Sequence, residues 1–109
     1  MKMIKKYRCK VLFYEKPVMG EAIQFTGDVK NIQALLDFSR CEYNPKNNAL
    51  TVSTVSVFPH NPKHCIKTDR IANVGDYIVK TKKGDPPYEE CRLLNPDFFE
   101  IIYKEIEND

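Results

Sequence analysis

The sequence has no tryptophan, only four glycines and no long run of apolar residues. Behind the basic start, residues 11–13 are an apolar stretch that ends at Tyr14 and Glu15. A secretory signal needs about 7–15 consecutive apolar residues, and a membrane span needs about 20. We therefore expect no signal peptide and no contact with a membrane, and a protein that acts in the cytoplasm where it is made.

Neither sign of charge dominates, since 17 Lys and Arg against 15 Asp and Glu give a net charge of +2. This is too little to make the whole molecule a nucleic-acid binder, and a DNA mimic would be strongly acidic. The charges are nevertheless uneven, because residues 1–10 hold five basic side chains and no acidic one. Such a segment is usually a solvated surface.

The composition is that of one soluble domain, with 109 residues, 42% of them hydrophobic and 29% charged. A chain of this length has room for one modest core. We expect a single α+β domain over 1–109, with a basic N-terminal segment at 1–16 and a core at 17–107.

The four cysteines are widely separated, without a CxxC pair. One local cluster, His60, His64 and Cys65, resembles a metal site or a catalytic site. Pro59 and Pro62 argue against the helix that would bring the two histidines to one face. We therefore expect a surface loop at 58–64, reduced thiols, no metal, no cofactor and no catalytic residues.

The first half of the chain predicts a strand over 18–25 and a helix over 29–39. The helix has Asp28 as N-cap, and Ile32, Leu35, Leu36 and Ser39 follow at helical spacing. Asn and Pro residues predict a loop over 41–48.

The middle of the chain predicts two strands. In 50–57 the alternation changes phase at Ser53–Thr54, which implies a β-bulge or a change of buried face. Residues 65–72 have few apolar side chains, which predicts an edge strand.

The last third predicts a tight turn at 74–76, a strand at 77–80, a hairpin at 81–84 and a strand around 90–93. Asn95-Pro96-Asp97 predicts the start of a helix. Its apolar stripe consists of Phe99, Ile102, Tyr103 and Ile106, widened by Phe98 and Ile101. Together these elements predict an α+β fold, a mainly antiparallel twisted sheet of four to five strands with two helices packed on it.

Three segments carry a resemblance: GEAIQFTGD at 20–28, VGDYIVK at 74–80 and NPDFFE at 95–100. In this order the chain resembles a family of small uncharacterised phage and prophage proteins, over roughly residues 17–104. Residues 56–64 and 85–90 look like insertions into the family pattern, and 1–16 look longer and more basic than its usual start. The resemblance implies an accessory protein of a phage or mobile element.

Two functional hypotheses follow. The first is stoichiometric binding to a host protein, such as a CRISPR effector nuclease or its ribonucleoprotein complex, in the manner of an anti-CRISPR inhibitor. Aromatic and basic residues dominate binding hot spots, and loops on a rigid scaffold carry specificity. The predicted contacts are Phe58, Lys63, Lys82, Lys83 and Tyr88.

The alternative hypothesis is a small nucleic-acid-binding factor. Its predicted contacts are Lys5, Lys6, Arg8 and Lys10, supported by Lys80, Lys82 and Lys83, with Tyr7, Tyr14 and Tyr77 available to stack on bases. The oligomeric state stays open at this point.

Overall fold

The computed structural model describes residues 4–9, 19–58, 61–83 and 88–105. Within them the chain forms one sheet of eight strands, every pairing antiparallel, and two helices. The strands are β1 (Lys5–Cys9), β2 (Met19–Gln24), β3 (Cys41–Asn44), β4 (Ala49–Phe58), β5 (Asn61–Ala72), β6 (Tyr77–Lys83), β7 (Tyr88–Leu94) and β8 (Tyr103–Glu105), and the helices are α1 (Val29–Phe38) and α2 (Pro96–Ile102). The order across the sheet is β3-β4-β7-β6-β2-β1-β8, and β5 pairs with β4.

The α+β class and the antiparallel sheet are confirmed, but the sheet has more strands than the predicted four to five. The additional strands are short and lack a long alternating apolar pattern. β1 lies inside the basic segment and pairs with both β2 and β8, and its Tyr7 is buried. The core therefore includes part of the basic segment. β3 occupies the start of the predicted 41–48 loop, where Cys41 lies opposite Val52.

Helix α1 covers one face of the sheet. It buries Ile32, Leu35 and Phe38, as the helical spacing predicts, whereas Leu36 is exposed. The side chain of Asp28 makes no capping hydrogen bond. Asn31 instead fixes the entry to the helix, since its Oδ1 accepts from the Thr26 N–H at 2.8 Å. The buried side chains on this face, the α1-face cluster, are Ile23, Phe25, Ile32, Leu35, Phe38, Leu50, Val52, Ala72, Ile78 and Cys91.

Helix α2 covers the opposite face. It starts as predicted, with the Asn95 side chain accepting from the Phe98 N–H at 2.8 Å, but it ends at Ile102. The buried side chains on this face, the α2-face cluster, are Tyr7, Ala22, Val79, Phe99 and Tyr103.

The predicted helix is wrong beyond Ile102, because Tyr103 is extended and begins β8, which pairs with β1. Phe98 and Ile101 are exposed and do not widen the buried stripe. Ile106 lies outside the described residues. Pairing with a strand 94 or more residues earlier in the chain overrides the local helical pattern, because a side chain buried at Tyr103 fits either periodicity.

Strand β4 has no bulge at Ser53–Thr54, because its register with β5 is continuous from Leu50 to Val57. What changes there is the neighbour on the other side: Val52 lies opposite Cys41 of β3, and Val55 lies opposite Cys91 of β7. The phase change in the sequence therefore marks an exchange of neighbouring strands.

The edge strand predicted at 65–72 is confirmed as β5, which begins four residues earlier, at Asn61. The loop predicted at 58–64 is wrong for Phe58, which belongs to β4, and for 61–64, which belong to β5. The register shifts here, since Val57 lies opposite Cys65 and Phe58 lies opposite Asn61. A proline is tolerated at such an irregularity, which accounts for Pro62 inside a strand.

The β6–β7 hairpin is longer than predicted. Its last described pair is Lys83 with Tyr88, whereas pairing was expected to stop at 80 and to resume only around 90. The predicted turn before β6 is present, with Gly75 at a φ of 104°. Neither α1 nor α2, the helices of the described ranges, is long and apolar enough to cross a membrane.

Candidate partner-binding surface

The sheet brings two hairpins together at one of its ends. β4 and β7 are antiparallel neighbours, with Val55 opposite Cys91, so the end of β4 lies beside the beginning of β7. The β4–β5 and β6–β7 hairpins therefore close next to each other. We name the residues 57–58, 61–65, 82–83 and 88–90 the hairpin end.

A buried carboxylate fixes the two hairpins to each other. Glu90 in β7 is 3% exposed, and its Oε2 accepts from the N–H of Val57 in β4 at 2.9 Å. Its Oε1 accepts from Arg92 Nη2 at 3.5 Å. The Val57 amide lies where the β4–β5 register shifts, so the carboxylate binds a backbone donor at an irregular point of the ladder.

The sequence did not identify Glu90, because a glutamate in the segment Tyr88-Glu89-Glu90 looks like surface. The sequence feature that bears on Glu90 is the alternation of side chains between the two faces of a strand. Glu89 and Glu90 must point to opposite faces of the sheet, and the structure buries Glu90 while Glu89 is exposed.

All five residues predicted for partner binding have backbones at the hairpin end. Lys83 lies opposite Tyr88, Phe58 lies opposite Asn61, and Lys63 lies within the register shift of β5. Lys82 has an exposed side chain and lies opposite Glu89. Two segments far apart in the sequence thus have their backbones at one end of the sheet.

The basic residues of the alternative hypothesis are divided by the sheet. Lys6 and Arg8 lie on the same face as Lys80 and Lys82, since Lys6 is opposite Glu21 and Glu21 is opposite Lys80. Lys5 lies on the other face, and Lys10 is outside the described residues.

Two of the tyrosines proposed to stack on bases instead pack against the Phe99 ring. The Phe99 ring stacks on Tyr77 with centroids 3.8 Å apart and meets the edge of Tyr7 at 4.7 Å. This role is therefore wrong for Tyr7, which is buried, and the stacked face of Tyr77 is already occupied. Tyr14 lies outside the described residues.

Lys80 has a structural role between α1 and the sheet. Its Nζ donates to the Phe38 carbonyl oxygen at 2.7 Å and lies 4.7 Å from the centroid of the Phe38 ring. It is also 3.7 Å from Glu89 Oε1. These contacts close the C-terminal end of α1, and they remove Lys80 from the freely available basic residues.

An open groove of about 840 Å³ lies between the end of α1 and strands β4 to β7. Burial raises the pKa of the Cys91 thiol in its wall to about 11, an effect that nearby Lys80 partly opposes. Burial also raises the pKa of Cys41, whose Sγ donates to the Leu35 carbonyl oxygen at 3.3 Å. Both are protonated and poorly nucleophilic at neutral pH.

In the described ranges no group of three or more His, Cys, Asp or Glu side chains is arranged to hold a metal ion. His60, one member of the cluster considered from the sequence, lies outside those ranges.

Comparisons of the chain with known protein families, with curated proteins and with solved structures found no match. The interpretation of the hairpin end therefore depends on its geometry and its charges.

Proposed function

We propose that the protein acts by stoichiometric binding to a host protein and that the hairpin end is its contact surface. The observation that carries this proposal is the hydrogen bond from Val57 to Glu90, which holds the two hairpins side by side. A surface that is ordered before binding loses less conformational entropy when the complex forms.

The charge of this surface indicates what kind of partner it fits. Lys82 is exposed at the hairpin end and Lys83 follows it in β6, while Arg8 of β1 is exposed on the same face of the sheet as Lys82. Basic side chains favour a partner surface rich in carboxylates or phosphates. Together with the motif resemblance to phage and prophage proteins, this supports a host defence nuclease, such as a CRISPR ribonucleoprotein, as the target.

The first experiment measures inhibition directly. The protein is expressed in a host with an active CRISPR effector, and plasmid interference is scored; purified effector is then titrated with purified protein. We expect protection of the plasmid and cleavage that falls linearly to zero near one equivalent. Unchanged interference, with no defence component retained on the immobilised protein, would contradict the proposal.

A second experiment locates the surface with matched aromatic variants. Tyr88→Ala removes an aromatic side chain from the hairpin end, and Phe98→Ala removes an exposed one from α2. Only Tyr88→Ala should weaken inhibition, because aromatic anchors at the centre of an interface carry most of its binding energy. Equal effects of the two variants would place the contact surface elsewhere.

A second candidate function, nucleic-acid binding, is favoured by the placement of Lys6, Arg8 and Lys82 on one open face. Glu21 and Glu89 lie among these basic residues and weaken their positive electrostatic potential. A gel shift at low salt with single- and double-stranded probes tests it. Retardation that Lys6→Glu with Arg8→Glu abolishes would support it, and no retardation of either probe would exclude it.

A further inference from the structure

Among the described residues, strand β5 is an edge of the sheet whose second side pairs with no other strand. It has 12 residues and pairs along one side with β4. Every side chain from 65 to 71 is exposed, and these include the apolar Ile66 at 53% and Ile71 at 66%. An exposed strand edge presents unpaired N–H and C=O groups that another strand can bind.

The sequence of β5 is complementary to itself when it is paired antiparallel. In a two-fold pair of identical strands, residues with outward-pointing N–H and C=O groups must lie opposite one another. The two-fold axis therefore passes between one residue and the same residue of the second copy. The possible registers differ in which residue lies at this centre. With Thr68 at the centre, Lys67 of each copy lies opposite Asp69 of the other copy.

The two neighbouring registers are less favourable electrostatically. Centring the pair on Lys67 places two ammonium groups opposite each other, and centring it on Asp69 does the same with two carboxylates. Opposite charges directly across an antiparallel pair are stabilising and like charges are destabilising, while threonines opposite each other are also favourable. The Thr68 register combines both favourable pairings and also places Ile66 beside the alkyl part of Arg70.

The carboxylate of Asp69 is already oriented for such a pair. Its Oδ1 accepts from Ser53 Oγ of β4 at 3.0 Å, which restricts the side chain before any partner binds. Isolated lysines on an edge usually prevent pairing with another strand. The alternation Lys67, Thr68, Asp69 differs, because it disfavours the two neighbouring registers and favours the one centred on Thr68.

We propose that β5 is a dimerisation strand, which pairs antiparallel with β5 of a second copy about Thr68 and joins two sheets into one. Because the strands run in opposite directions, the hairpin ends of the two copies point to opposite ends of the dimer. The assembly then presents two partner-binding surfaces. The dimer does not depend on the proposed function, since oligomeric state and inhibition are measured separately.

The test is the mass of the full chain in solution by sedimentation equilibrium, from about 1 to about 500 µM, since an interface of one strand is small. We expect a mass that rises with concentration from 12.7 kDa to twice this value. A protein that stays monomeric throughout this range would overturn the proposal.

Charge exchange tests the register. In the Thr68 register, residue 67 of each copy lies opposite residue 69 of the other copy. Lys67→Asp therefore creates two pairs of opposed carboxylates, and Asp69→Lys creates two pairs of opposed ammonium groups. Each variant should raise the dissociation constant of the dimer about tenfold or more. An equimolar mixture of the two variants restores both opposite-charge pairs, so we expect it to form heterodimers when neither variant dimerises alone. A mixture that stays monomeric while both variants melt like the wild type would overturn this register.

A matched control is Glu42→Lys, an exposed charge reversal on β3. It should leave the dissociation constant unchanged. An equal loss of dimer in Glu42→Lys would show that the association depends on net charge and not on β5, and it would also contradict the proposal.

Discussion

The two faces of the sheet are stabilised by different kinds of side chain. The α1-face cluster is mainly aliphatic and comes from the middle of the chain, with Leu35, Leu50 and Ile78 fully buried. The α2-face cluster is mainly aromatic and centres on Phe99, whose ring contacts Tyr7 and Tyr103. It joins β1 to β8, the first and the last of the described strands.

Successive residues of one strand contribute to both faces. In β2 Ala22 belongs to the α2-face cluster and Ile23 to the α1-face cluster, and Val79 and Ile78 divide in the same way in β6. These positions of β2 and β6 are buried on both faces of the sheet, whereas Lys82 and Glu89 at the hairpin end are exposed. Substitutions in the clusters should therefore change stability, and substitutions at the hairpin end should change binding.

The largest effect is expected from Phe99→Ala, which leaves a cavity between three aromatic rings. It should lower the free energy of unfolding by about 3–5 kcal/mol, the usual cost of truncating a buried phenylalanine. Phe98→Ala is the matched control, because Phe98 is the preceding residue and is half exposed. Denaturant unfolding checks both, and equal losses would contradict the α2-face cluster as described.

Thiol labelling compares the α1 face with the open edge. Cys91 has a pKa of about 11, two units above the 9.0 of an ordinary thiol, so about a hundredfold less of it is thiolate at pH 8. With iodoacetamide, Cys65 on exposed β5 should react first, and the Cys91 rate should rise steadily up to about pH 11. Peptide mass spectrometry measures both rates, with a denatured sample as control. Rapid labelling of Cys91 at pH 8 in the folded protein would contradict a thiol that burial keeps protonated.

The same pKa gives a pH dependence of stability. The folded state keeps the Cys91 proton up to about pH 11, whereas the unfolded state loses it near pH 9. Cys91 therefore contributes a loss of stability as pH rises through this interval. Cys91→Ala should flatten the dependence of the melting temperature on pH above 9.

A smaller effect is expected from Glu90→Ala. It leaves the Val57 N–H without its acceptor and should cost about 1–3 kcal/mol. Glu89→Ala is the adjacent control, half exposed and paired with Lys80 at 3.7 Å, and it should cost less than about 1 kcal/mol. Thermal melts of the two variants decide this comparison, and the reverse order would contradict the fixed hairpin end.

The elements that could be predicted from the sequence are those with strong local signals. The α1 helix has apolar residues at helical spacing, and the start of α2 has Asn95 and Pro96, so both were predicted near their true positions. β1, β3 and β8 have no such pattern. β1 and β8 pair with each other although more than 90 residues separate them, and such pairing cannot be derived from periodicity. β3 pairs with β4 directly across the turn at 45–48, and its four residues are too few to show an alternating pattern.

The candidate site also combines residues that the local sequence predicts with a feature that only the strand pairing reveals. Phe58, Lys82 and Tyr88 were selected because aromatic and basic residues lie near proline-rich breaks, which is a local property. That their hairpins are neighbours depends on β4 pairing with β7 across 36 residues, from Val55 to Cys91. Glu90, which fixes this arrangement, could be identified only once that pairing was known.

The most direct test of the hairpin end as the binding surface is a double charge reversal, Lys82→Glu with Lys83→Glu. Its control is a second double charge reversal, Lys30→Glu with Lys46→Glu. Lys46 lies in the turn before β4, and the ten residues of β4 separate it from the hairpin end by about 30 Å. Both double variants should unfold within about 0.5 kcal/mol of the wild type, as surface substitutions usually do. We expect only Lys82→Glu, Lys83→Glu to lose inhibition of the proposed target nuclease. Full inhibition by this variant, or equal loss in both, would contradict the hairpin end as the binding surface.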